Sequence, residues 1–251
     1  MPGKKKKKEE VVELTPAEKC QKKLQEDLDA FMDLVNASYY GIVKSVQKVL
    51  DTGKAKVDEA DPESGHPPLV LACRYGHLQV AQTLIQHGAD ANKAGYGGLT
   101  ALHAACRGDH NSIVEWLCNE VKVALDAEDD AGNTALNEAA RMGNLKCMDT
   151  VATAGGNLEH ANHAGTTPFM TAVLNCRGAI VDILIKKGVD INTTDTNGNS
   201  ALHLAAMCGY PKVVRQLLVN NINVAQVNSE GKKAEEVAAN AAIQTSISAY
   251  E

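Results

Sequence analysis

Apolar residues along this chain fall into a pattern that recurs at long range. Four residues after Gly65, Gly98, Gly132, Gly165 and Gly198 stand Leu69, Leu102, Leu136, Phe169 and Leu202. Further on, a second stripe returns as Val80–Leu84–Ile85, Ile113–Leu117–Cys118, Cys147–Val151–Ala152, Ile180–Leu184–Ile185 and Val213–Leu217–Leu218. Apolar positions at i, i+4 and i+5 mark the buried face of a short helix, so the spacing predicts two short helices per unit. The marker glycines, continued by Gly231, lie 33, 34, 33, 33 and 33 residues apart. A period of this length is the signature of a repeat array.

Polar residues punctuate the units. Each first helix opens at Thr100, Thr134, Thr167 or Ser200, whose hydroxyls cap the exposed amides. Each second helix closes at Gly88, Gly155, Gly188 or Asn221, residues that tolerate the left-handed backbone of a helix end. In one unit Val121 holds that place and one extra residue is present, which predicts a distorted, longer loop around Val123–Ala131. A single helix pair cannot bury its own apolar face, so each copy covers its neighbours and the ends need atypical copies. The stretch from Leu34 reads as a degenerate first unit, with Gly41 standing to Gly76 two residues off the period. From Gly231 a closing unit follows, with Glu235 in the leucine place and both Glu235 and Glu236 turned to water. Counting both ends, about seven helix pairs are expected. Upstream, Thr15, Pro16 and Glu18 form a helix-start signature. Leu24, Leu28, Phe31, Met32 and Val35 then share one face, which is expected to pack over the first unit; partner binding is the alternative.

A 33-residue period carrying "TALH", "AA", "G" and "GADxN" resembles the ankyrin repeat over roughly residues 30–245, with five copies in agreement. Pro67–Pro68–Leu69–Val70 replaces the usual Thr-Pro-Leu-His, Cys176 sits where glycine is usual, and Gly108–Asp109 look transposed. The resemblance implies an all-α fold: an α-solenoid of stacked helix-turn-helix units joined by inter-repeat β-turn loops. It divides the chain into a basic arm (1–14), an N-terminal capping helix (15–36) and a repeat array (37–251).

Composition agrees with this. Hydrophobic residues make up 44% of the chain but aromatics only 4%, so the core is built from Ala, Leu, Val and Ile, which suits tightly stacked helices. No stretch approaches the ~20 apolar residues of a membrane span, and no apolar signal region opens the chain. Seven cysteines without a CxxC pair fit a reducing compartment. The expected location is cytoplasmic, with cytoskeleton, cilium and nucleus as the other settings.

Motifs that carry chemistry are scarce. "GYGG" at Gly95–Gly98 lacks the Gly-Lys-Ser/Thr of a phosphate loop. His103 and His203 read, through the resemblance, as turn-bonding residues. His160 and His163 form "HANH" without a third metal ligand. Cys73 and Cys106 hold equivalent places in adjacent units, ~8–10 Å apart, too far for a disulfide. Asp126, Glu128, Asp129 and Asp130 lack the spacing of a calcium loop and read as a solvated face. The chain is therefore read as non-catalytic, with no metal, cofactor or small-molecule substrate assigned.

Residues free to differ between copies are the candidates for contact. In the ankyrin family the recognition surface is the concave one, formed by turn tips and the exposed ends of the first helices. Carried over, it comprises Tyr39, Tyr40, Arg74, Tyr75, Arg107, Arg141, Met142, Leu174 and Met207 after the "A-A/C" pair, with Tyr96 and Leu99 at a turn tip. Three arginines at one equivalent position are expected to form a row with ~10 Å steps, turning apolar at Leu174 and Met207. Arginine and aromatic residues are enriched at interface hot spots. The expected partner is another protein, presenting an extended or helical segment that is acidic at one end and apolar at the other. The alternative is that the arginines pair with acidic turn residues of the same chain.

Net charge is −6, unevenly spread. Residues 1–23 hold eight Lys against four Glu, a local +4, which leaves −10 on the remainder. The run Lys4, Lys5, Lys6, Lys7, Lys8 reads either as a solubilising tail or as a polyanion-binding arm whose attraction is screened by salt. Candidate polyanions are a nuclear import receptor, RNA, anionic lipid and the acidic tails of tubulin. Lysine-rich starts of this kind resemble those of many ciliary axonemal proteins. Three functions follow: an interaction scaffold or adaptor, a structural subunit of a cytoskeletal or ciliary axonemal assembly, and a nucleic-acid-associated nuclear protein. The acidic body counts against the third.

Overall fold

The structure, a computed structural model, describes residues 16–250, with side chains from residue 19 onward. Helix α1 (Pro16–Tyr40) is followed by α2 (Val43–Asp51), and then by the pairs α3 (Pro68–Arg74) with α4 (Leu78–Gln86) and α5 (Ala101–Arg107) with α6 (Asn111–Trp116). The pairs α7 (Ala135–Met142) with α8 (Leu145–Thr153), α9 (Pro168–Leu174) with α10 (Gly178–Lys186) and α11 (Ala201–Met207) with α12 (Pro211–Val219) follow, and α13 (Ala241–Ser248) closes the array. First helices pack on one another in series, α1 on α3, α3 on α5, and so on to α11; second helices form a parallel layer, α2 on α4, α6 on α8 and α10 on α12. Leu69, Leu102, Leu136, Phe169 and Leu202 are all buried and belong to one continuous core. An array this regular buries apolar area only between neighbours, so stability adds unit by unit.

Backbone hydrogen bonds fix the register. The amides of Ile42, His77, His110, Asn144, Arg177 and Tyr210 donate to the carbonyls of Ala37, Ala72, Ala105, Ala139, Ala172 and Ala205. Gly41 and Gly76 are therefore equivalent despite the two-residue offset. Turn tips are laced in the same rhythm: Tyr96 N donates to Gly65 O, Asp130 N to Gly97 O, His163 N to Ala131 O, Thr196 N to Ala164 O and Ser229 N to Asn197 O.

Three expectations are corrected. First, α1 runs unbroken across residues 36 and 37, so the expected capping helix and the first helix of the first unit are one element. Only its later turns are covered: Leu34 enters the main core, and Phe31 and Val35 pack with Leu71, whereas Leu24 and Leu28 are 72% and 48% exposed. Second, the closing unit has one helix. Residues 234–237 form only a turn, because Glu235 takes the place of the leucine that would anchor a first helix; the described residues thus hold six helix pairs plus α13. Third, the extra residue does not lengthen the loop at 123–131. It is absorbed upstream by a π-turn, Leu117–Val121, closed by Lys122 in the left-handed conformation (φ 58°). Widening one turn leaves the loop-to-loop bonds intact. Ala124 N still donates to Asn92 Oδ1, and Asn157 N to Asp126 Oδ1, at 2.9 and 2.8 Å. Asp126 is thereby a structural acceptor as well as a solvated charge.

One glycine shows how tightly units approach. Gly76 has φ +84°, and a Cβ there would meet the His110 ring at 2.6 Å. That ring must stay close, since His110 Nε2 bonds Arg74 O at 3.0 Å and ties one unit to the next. Gly76→Ala is expected to cost roughly 1–3 kcal/mol from strain and clash together. Gly53→Ala, with φ +65° but nothing within 4 Å, is expected to cost only the ~1–2 kcal/mol of the left-handed backbone. Urea unfolding midpoints of the two variants test the difference.

Candidate functional site

The first-helix face is organised by its caps. Thr100 precedes α5, and the His103 Nδ1 accepts from the Thr100 backbone N–H at 3.3 Å. An N–H can only donate, so Nδ1 carries no proton. His103 Nε2–H therefore donates to Asn133 O in the next turn, at 2.9 Å. Ser200 and His203 repeat the arrangement, with His203 Nε2 on Lys232 O at 3.0 Å. In the unit between Thr134 and Thr167, Asn137 does the work of the histidine, accepting from Thr134 N–H and donating to Thr166 O. These histidines are turn-bonding residues.

Burial lowers the His103 pKa from its ordinary value, because a second proton would sit in an apolar core facing a donor. A depressed folded pKa gives stability that is present above the unfolded pKa and lost as pH falls through it. Stability is thus expected to decline from pH 7 towards pH 5. His103→Asn, which copies the native solution at Asn137, is expected to flatten part of that decline. Unfolding midpoints of both proteins at the two pH values check this.

At the start of the array, Tyr39, Tyr40, Arg74 and Tyr75 come together. The Tyr39 and Tyr75 rings lie with centroids 4.3 Å apart and tilted, and Tyr40 meets Tyr39 edge-on at 4.9 Å. A hydroxyl bond to Tyr75 raises the Tyr39 pKa. With Met32, Val35 and His66 they line an open hollow of about 450 Å³. His66 is buried, and its pKa is lowered first by desolvation and then by the charges of Arg74 and Arg107, which face it. Tyr96 stands 76% exposed at the next turn tip, whereas Leu99 is only partly exposed.

Further along, the arginine row meets a residue that sequence reasoning missed. Glu138 Oε2 lies 2.6 Å from Arg141 Nη2 and 3.6 Å from Arg107 Nε. Both arginines are thus paired within the chain, as the alternative reading anticipated, but with a helix residue and not an acidic turn. Glu138 occupies the inward position held by Asn36, Leu71, Ala104, Thr171 and Leu204 in the other units. It is the one ionisable side chain among those six, a departure visible once the copies are aligned.

At the far end the expected apolar stretch is largely corrected. Leu174 is partly buried against the core. Met207 is 50% exposed but opens onto a hollow lined chiefly by Asn197, Asn199, Asn228, Ser229, Glu230 and Lys232. Val237 is the one other apolar residue that lines this hollow, so the strip is short and set among polar turns. Met142 is 38% exposed midway. Lys4 to Lys8 lie outside the described residues.

Other chemistry-bearing groups have structural surroundings. His160 and His163 flank Glu128 at 3.3 and 3.9 Å, and no group of three or more His, Cys, Asp or Glu among the described residues is arranged to hold a metal. Burial raises the thiol pKa of Cys73 and Cys106, which keeps them protonated near neutrality. No helix among the described residues is long and apolar enough to cross a membrane.

The family "Ankyrin repeats (3 copies)" matches residues 34–124, 91–159, 121–195 and 151–230. The chain belongs to the ankyrin-repeat family. A nematode (Caenorhabditis elegans) homolog of transient receptor potential cation channel subfamily A member 1 is 28% identical over 75% of this ankyrin-repeat chain, and E3 ubiquitin-protein ligase XBAT33 of Arabidopsis thaliana is 30% identical over 77%. The chain spans only 15% and 37% of those two relatives. It spans 94% of the Escherichia coli putative ankyrin repeat protein YahD, at 28% identity over 74% of this chain. Among solved structures, the human ASB11 ankyrin repeat domain superposes with a TM-score of 0.77, covering 87% of this chain and 97% of that one at 23% identity. The Bcl-3 ankyrin repeat domain superposes at 0.74, covering 85% and 96% at 23% identity. Ankyrin repeats form protein–protein interaction domains, and that is what this chain carries.

Proposed function

We propose that the ankyrin array is a non-catalytic scaffold or adaptor that holds a segment of another protein on its concave first-helix face. The observation that carries this is the open hollow at Tyr39, Tyr40, Arg74 and Tyr75, with Arg107 and Arg141 at the place equivalent to Arg74 in the next two units. Three clustered tyrosines and neighbouring arginines, left exposed where every copy otherwise conforms to the stack, have the composition of an interface hot spot. Tyr96, Leu99 and Met142 extend the contact along the array. The partner is an extended or helical segment, acidic where it meets the arginines. A cytoplasmic setting suits a chain rich in unpaired thiols.

The lysine run favours a second contact. Lys4 to Lys8 would seek a polyanion, acidic tubulin tails among them, and on that reading the protein is a subunit of a cytoskeletal or ciliary axonemal assembly. Nucleic-acid association is the weaker reading, since the acidic body repels a long polyanion.

Affinity capture with the full chain, followed by mass spectrometry, is to be run beside Tyr39→Ser and Tyr75→Ser. The expected result is a partner recovered by the native chain and lost with both variants. Equal recovery by all three removes the groove assignment.

A further inference from the structure

We infer that Arg107 and Arg141, held by Glu138, form an anion-binding subsite in the middle of the groove, built to take one acidic side chain of the bound segment. This rests on the groove reading above and adds to it the chemistry of a single position.

Burial and geometry carry the argument. Glu138 has a side chain only 8% exposed, while Arg107 and Arg141 are each 36% exposed. The carboxylate therefore lies beneath the two guanidiniums, and their outer edges remain in water. The one oxygen, Oε2, serves both, through Arg107 Nε and Arg141 Nη2. A guanidinium has five N–H donors in a fixed plane; Arg141 Nη2 donates to Oε2 at 2.6 Å, whereas Arg107 Nε at 3.6 Å makes an ion pair without a hydrogen bond, so both guanidiniums keep donors for a ligand. One carboxylate against two guanidiniums leaves the trio a net positive charge, and Arg74 continues the row one unit earlier. Arg177 Nε donates to Arg141 O at 3.0 Å, which brings a further cation alongside.

The neighbouring units sharpen the point. Where Glu138 stands, the preceding unit has Ala104 and the following one Thr171. Ala104 is flanked in the same way, by Arg74 and Arg107, but offers no carboxylate, so of the two neighbouring arginine pairs in the row only Arg107 with Arg141 is anchored. In α5 and α7 the carboxylate steers two long, mobile side chains into one orientation, which removes part of the entropy a partner would otherwise have to overcome. A carboxylate or phosphate entering from solvent would complete a ring of alternating charges, with charge-assisted bonds to both arginines. Glu138 is a positioning residue here; the arginines make the contact.

The probe is a degenerate peptide array with the central residue fixed as Asp, Glu, phosphoserine, Asn, Ser or Lys and random flanks, read with the full chain at low and high salt. The native protein is expected to favour Asp, Glu and phosphoserine at least tenfold over Asn and Ser, with the preference shrinking in salt. A triple variant, Arg107→Ala, Glu138→Gln and Arg141→Ala, keeps no unpaired buried charge and is expected to lose the preference while melting close to the native chain and above the double arginine variant. Glu138→Gln alone is expected to reduce the preference severalfold, since the arginines remain but lose their common anchor. Phosphoserine well above the carboxylates identifies a phosphorylated partner, and parity identifies an acidic one. No preference at the central residue overturns the subsite, and the groove reading then stands or falls separately on whether Tyr75→Ser weakens peptide binding. Binding unchanged by every one of these substitutions overturns both.

Discussion

Leu102→Ala lowers the unfolding free energy by roughly 2–5 kcal/mol, the cost of a truncated leucine plus the cavity it leaves. The side chain is 1% exposed and lies on α5, whose neighbours are α3 and α7. Helix α7 is fixed by its capping box and α3 by Pro68 in its first turn, and both by the turn ladder, so the site collapses poorly and the cost falls toward the upper part of that range. In a linear array the loss also weakens the coupling between the units on either side, and an unfolding curve that splits into two transitions is the further sign to look for. Leu24→Ala provides the contrast. That residue is just as apolar but 72% exposed, and its replacement is expected to stay within ~0.5 kcal/mol. Guanidinium unfolding followed by circular dichroism measures both, and similar losses at the two positions would contradict the assignment of the core.

Arg107→Ala combined with Arg141→Ala is expected to cost stability as well as binding. Residue types alone suggest the opposite, two surface arginines whose removal the fold would not notice. Glu138 changes that expectation. With both guanidiniums gone, a nearly buried carboxylate loses its charged partners, and leaving a buried acceptor unsatisfied costs roughly 1–3 kcal/mol, more when it is charged. Adding Glu138→Gln to the pair is expected to recover most of the loss, because a neutral amide is far less costly to bury. Melting temperatures of the native, double and triple variants give the test. A double variant as stable as the native chain would show that the carboxylate reaches water and that the three residues do not act as a unit.

How far each feature could be read in advance depends on how local its cause is. The 33-residue period, the burial of Leu102 and Leu202, and the caps at Thr100, Thr134, Thr167 and Ser200 follow from spacing and side-chain chemistry within a few residues. Even the turn-bonding role of His103 was accessible, through likeness to other repeats. The extra residue of the third unit was legible only as an excess. A loop is the usual place for an insertion, yet here each loop is tied to its neighbours through Asn92 and Asp126, so widening the helix end at Leu117–Val121 disturbs fewer bonds. His110, Asn144 and Arg177, which tie second helices to the preceding unit's carbonyls, fall at one repeated place just after the left-handed residue. Alignment of the copies would have shown the place, but not the partner.

Two further outcomes lay beyond any single segment. Leu24 and Leu28 belong to the same apolar stripe as Phe31 and Val35, but whether a stripe is covered depends on where the neighbouring unit ends. Glu138 reads as a helix residue with a charge. Its meaning comes from Arg107, 31 residues earlier in the chain, and from the stacking that sets the two helices side by side.

By itself, the order of residues determined that this protein is a line of like units, which residues cap and anchor each one, and which positions remain free to differ. Those are consequences of propensity and of apolar spacing within a helix turn or two. Only the stacked structure decided which of the free positions meet across units, because that depends on distances between helices far apart in the chain. It turned three separate arginines into a row in which two share one carboxylate, and it left half of the first helix in water.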